Sequence, residues 1–74
     1  MNEKILAIIA GVTKKTVAEI EQNMGTEGLW DSFSRLELVI NLEAEFGITF
    51  EQEEIASLST PQNVIAVVQA RCER

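Results

Sequence analysis

The sequence has no histidine, one cysteine and one proline among its 74 residues, and each shortage narrows what the chain can do. Without an imidazole it lacks the usual general base near neutral pH, the commonest metal ligand, and the Ser-His or Cys-His nucleophile pair. Self-contained hydrolase chemistry is not expected, and neither is a metal site. A lone Cys72 can form neither an internal disulfide nor a Cys-rich zinc site, which fits a reducing compartment. The longest uninterrupted apolar run is Ile5 to Ala10. That falls far short of the roughly 20 residues of a membrane span, or of a signal-peptide core with its flanks. The expectation is a soluble, cytoplasmic monomer with no membrane span.

The apolar supply is adequate for a core. Eight Ile, six Leu, six Val and three Phe stand well above the roughly 20% below which disorder is the better expectation. At this length one domain is expected, covering residues 1–74, burying about 60% of its unfolded surface. Twelve acids oppose six bases, for a formal charge of −6. The bases retreat to the ends: between Thr16 and Ala70 only Arg35 is basic, against ten acids. Such a field repels phosphate backbones and attracts basic surfaces, so nucleic acid is a poor partner and a positively charged protein a good one. A solvated, solubilising surface explains the same charge on its own.

Glycines and the single proline punctuate a chain without repeats or linkers. Asn2 is a candidate N-cap for a first helix whose apolar positions are Ile5, Leu6, Ile8, Ile9 and Val12, weakening near Gly11. Whether Thr13 to Ile20 prolongs it or forms a separate turn is open. Gln22 to Trp30, with Gly25 and Gly28, reads as a loop anchored by Met24, Leu29 and Trp30. Ser32 to Phe46 is the clearest helix, with Asp31 and Ser32 as capping candidates and Gly47 placed to end it. Leu38, Val39, Leu42 and Phe46 fall on one side, while Phe33, Leu36, Ile40 and Ala44 form a second apolar flank. Either the helix is buried on most sides, or the second flank is left open for a partner. Ile48 and Phe50 point inward, Glu51 to Leu58 form a minor helix, and Thr60-Pro61 starts the last one, whose apolar face is Val64, Ile65, Val67 and Val68. The expected fold is all-α: a small antiparallel four-helix bundle of three main helices and one short one.

Asp31 is the only aspartate, and it precedes Ser32 at the mouth of the clearest helix. Capping explains the pair on its own. A serine there is also accessible, and a phosphodiester on its hydroxyl would lie near the unsatisfied amides and positive end of the helix.

The run Gly28-Leu29-Trp30-Asp31-Ser32-Phe33, then Leu36-Glu37-Leu38-Val39, then Leu42-Glu43-Ala44-Glu45-Phe46-Gly47-Ile48, with Glu54-Ile55, Leu58 and Thr60 beyond it, resembles the acyl carrier protein family. The resemblance implies that Ser32 bears 4′-phosphopantetheine, taken from coenzyme A, and that Asp31 helps a phosphopantetheinyl transferase and its magnesium ion engage the site. It implies a partner face of Phe33, Leu36, Glu37 and Ile40. Trp30 either packs its loop onto the core or lies beside the arm and tunes partner choice. It further implies a non-catalytic chain that holds an acyl or aminoacyl group as a thioester. Separate enzymes would serve it: an acylating or adenylating loading enzyme, and a downstream synthase or transferase. Phe33 stands where many fatty-acid carriers have Leu, and Ser34, Arg35 and Ala44 make the helix less acidic than theirs. The resemblance is thus to stand-alone biosynthetic or D-alanyl-type carriers more than to the housekeeping fatty-acid carrier. The competing expectation is an acidic interaction module of the same fold, with no prosthetic group and Ser32 only a cap. Cys72 is expected to be an incidental exposed residue near a frayed end.

Overall fold

Five helices follow one another: α1 (Asn2–Thr13), α2 (Val17–Glu21), α3 (Ser32–Phe46), α4 (Gln52–Ala56) and α5 (Pro61–Cys72). The computed structural model describes residues 2–72. Glu73 and Arg74 lie outside them. The all-α expectation holds, with no strand among the described residues. The helix count does not: besides α4 there is a second short helix, α2.

The chain between Thr13 and Ile20 explains the extra helix. Lys14 turns left-handed at φ 59°, and Lys15 N–H donates to Ala10 O at 2.9 Å, a closing pattern that stops a helix and redirects the chain. Thr16 then starts α2 through a reciprocal cap. Glu19 N–H donates to Thr16 Oγ1 at 3.1 Å, and Thr16 N–H donates to Glu19 Oε1 at 3.4 Å. At the start of the chain, Asn2 is a correction: it lies inside α1, and its Oδ1 accepts from Gln69 Nε2 of α5 at 2.7 Å.

α1 packs against α2, α3 and α5. Its buried Ile5, Leu6, Ile9 and Ala10 join Ile20 of α2, Leu38, Val39 and Leu42 of α3, Phe50, Leu58, and Val64 and Val68 of α5 in one core. The last helix opens as its residues dictate. Thr60 is buried, its hydroxyl accepts from Asn63 N–H at 3.1 Å, and Pro61 occupies the first helical position, where a missing N–H costs nothing. Cys72 corrects another expectation, because it is half-buried and packs against the core. It continues the four-residue step of Val64 and Val68.

α4 buries none of its own residues fully. It is tied to α5 by Arg71, whose Nε donates to both carboxylate oxygens of Glu54 at 2.9 Å and whose Nη2 lies 3.8 Å from Glu51 Oε1. Across the molecule Lys4 of α1 meets Glu45 of α3 at 3.3 Å, an exposed pair of little energetic weight.

Candidate functional site

The loop before α3 is held at both ends of its span. Gln62 N–H donates to Met24 O at 3.0 Å, and Trp30 Nε1 donates to Leu58 O, also at 3.0 Å. Trp30 is half-buried and packs on the core, so of its two expected roles the structure provides the packing one. Gly28, at φ 82°, takes a left-handed conformation that few other residues adopt without strain.

This loop delivers Asp31 in an extended conformation as the N-cap of α3. Its Oδ1 accepts from Ser34 N–H at 2.8 Å. That bond is the main reason the carboxyl is held below the usual carboxylate range, with the Ser34 hydroxyl second. Asp31 performs the capping alone. Ser32 is the first helical residue, exposed, and its hydroxyl makes no hydrogen bond among the described residues. The reading of Ser32 as only a cap is thereby corrected. Because Asp31 caps as a carboxylate, Asp31→Ala is expected to lower thermal stability at neutral pH. The gap to the wild type should be complete above the unfolded carboxyl's pKa. It should close as pH falls through the lowered folded-state value, which melting curves across pH 7 to 2 would record.

Along α3 the core takes Leu38, Val39 and Leu42, leaving Phe33, Leu36 and Ile40 exposed at 68%, 54% and 65%. The second flank is therefore open rather than buried. Glu43 accepts from Phe50 N–H at 2.9 Å, Glu45 pairs with Lys4, and of the three glutamates on α3 only Glu37 keeps its carboxylate unengaged among the described residues. Glu37 and Asn41 also line a groove of about 260 Å³ with Ile8, Gly11 and Val12 of α1. Thus Ser32, Phe33, Leu36, Glu37 and Ile40 are exposed along α3, with exposed Asp31 at its N-cap and half-buried Trp30 in the loop before it.

Residues 3–68 match the family described as the phosphopantetheine attachment site. The chain belongs to that family. Its prosthetic group is a covalent 4′-phosphopantetheine, and the acyl-carrier resemblance in the sequence holds. This carrier is also 28% identical over 75 residues to the D-alanyl carrier protein of Abiotrophia defectiva, with 96% of this chain and 95% of the relative covered. The residues present suit the group: an exposed primary hydroxyl with no competing hydrogen bond among the described residues, at the head of a 15-residue helix. Among the described residues, no helix of the carrier is long and apolar enough to cross a membrane.

Proposed function

We propose that Ser32 bears the prosthetic group and that the exposed strip of α3 is where separate enzymes dock. The observation that carries this reading is the division of labour at the head of α3, where Asp31 caps and the Ser32 hydroxyl is left unengaged. When bound, the arm supplies a terminal thiol on which an acyl or aminoacyl group is held as a thioester. Likeness to a D-alanyl carrier protein supports an aminoacyl cargo charged by an adenylating enzyme.

In this reading the chain performs no catalysis and works as a monomer in the cytoplasm. Asp31 holds the first turn of α3 in place, so that Ser32 is presented to a phosphopantetheinyl transferase. Phe33, Leu36 and Ile40 offer apolar area, and Glu37 offers a charge to a basic partner surface. Charge complementarity of this kind speeds encounter without demanding tight binding, which suits a carrier that must leave each enzyme after use. A tethered substrate then acts at high effective concentration in every site it visits.

The deciding experiment is intact mass after incubation with coenzyme A, magnesium and a broad-specificity phosphopantetheinyl transferase. A gain of one phosphopantetheinyl group supports the reading; an unchanged wild-type mass would leave the interaction module instead. For the docking strip, Ile40→Asp is expected to reduce the transferase's kcat/KM about 10- to 100-fold, the range of one hot-spot residue. The melting temperature should stay close to the wild type, since Ile40 is outside the core. An unchanged kcat/KM would remove the strip from the docking surface.

A further inference from the structure

We infer that Arg35 is the counter-ion of the phosphodiester at Ser32. The inference rests on the attachment reading above. Arg35 is the only base between Thr16 and Ala70, and it stands three residues after Ser32. Residues so spaced are neighbours on one side of a helix, with Cβ atoms roughly 5–6 Å apart. Long helical side chains lean toward the N-terminus, over the preceding turn, and for Arg35 that turn begins at Ser32. The next residue on the same side, Leu36, has no charge to offer.

Arg35 is also available. Lys4 and Arg71 have carboxylate partners, whereas Arg35, half-buried, makes no side-chain hydrogen bond or ion pair among the described residues. Asp31 lies four residues before it, yet gives its Oδ1 to Ser34 N–H and forms no ion pair with Arg35. An anion on Ser32 would stand directly beside the Asp31 carboxylate. A cation one turn away offsets that repulsion, and the planar fork of a guanidinium matches two phosphate oxygens at once.

The test compares apo and holo forms of the ¹⁵N-labelled chain, with conversion verified by intact mass. The Arg35 Nε–Hε resonance is expected to move on conversion and to return toward its apo position in 1 M salt, where the screening length falls to about 3 Å. Arg35→Gln should shift the ³¹P resonance of the holo form. It should also reduce the holo-minus-apo difference in melting temperature by about 2 °C, the size set by one exposed ion pair in a small domain. Arg35→Lys should restore part of both. A full mass gain with an unmoved Arg35 resonance would overturn the inference while leaving attachment intact. Slower loading of Arg35→Gln with unchanged ³¹P shift and melting would also overturn it, assigning Arg35 to a partner. No mass gain in the wild type would remove the attachment reading, and the inference with it.

Discussion

A Ser32→Ala chain is expected to gain no mass under conditions that convert the wild type completely, and to melt within about 4 °C of it. Both halves follow from the head of α3. The hydroxyl is the only atom of the side chain that can form the phosphodiester, so its removal is an all-or-none loss of chemistry. The fold does not use that hydroxyl: the cap is Asp31, through its bond with Ser34 N–H, and alanine is a good helix former. Circular dichroism melts beside the mass measurement would separate the two effects. A residual mass gain in Ser32→Ala would move attachment to another exposed hydroxyl. A collapse in melting temperature would show that the serine has structural work after all.

Leu42→Ala should behave in the opposite way. Leu42 of α3 is fully buried in the core, and truncating such a leucine removes both its transfer free energy and the contacts around the resulting cavity, typically about 2–5 kcal/mol. A chain of this length has a total stability on the order of 4–11 kcal/mol, so one substitution takes a large fraction of it. At about 4–8 °C per kcal/mol for a domain of this size, the melting temperature should fall by more than about 10 °C. Whatever remains folded should still accept the arm at Ser32. A drop of only a few degrees would mean that Leu42 is not the core residue its burial implies. Ile40, two residues earlier, is expected to show the reverse pattern, with docking weakened and stability kept.

Much of this was legible in the residues. α3 announces itself by good helix formers between Asp31-Ser32 and Gly47, and Gly47 closes it in a left-handed conformation at φ 63°. α5 announces itself by Thr60-Pro61. Periodicity could find two apolar flanks on α3 but could not say which lay against α1, because that depends on where the other helices sit. Asp31 and Ser32 are comparable caps, and their difference comes down to a register of one residue set by the incoming loop. The second short helix had a readable signal in Thr16 and Glu19, three apart, but the left-handed Lys14 that frees it is a conformation lysine seldom adopts. Arg71 meeting Glu54, and Asn2 meeting Gln69, are tertiary contacts between distant positions and leave no local trace. The polar neighbours of Cys72 suggest fraying, whereas its spacing from Val68 turns it onto the core.

The tie from Trp30 to the carbonyl of Leu58 has an optical consequence. This is the only tryptophan in the chain, and there is no tyrosine, so apart from the weak emission of three phenylalanines the protein's ultraviolet fluorescence comes from one indole in the loop that leads to Ser32. That indole is half in water and half against the core, an environment whose polarity changes if the loop lifts. The protein therefore contains its own unlabelled fluorophore, placed to register events at the head of α3 as a change in wavelength or intensity.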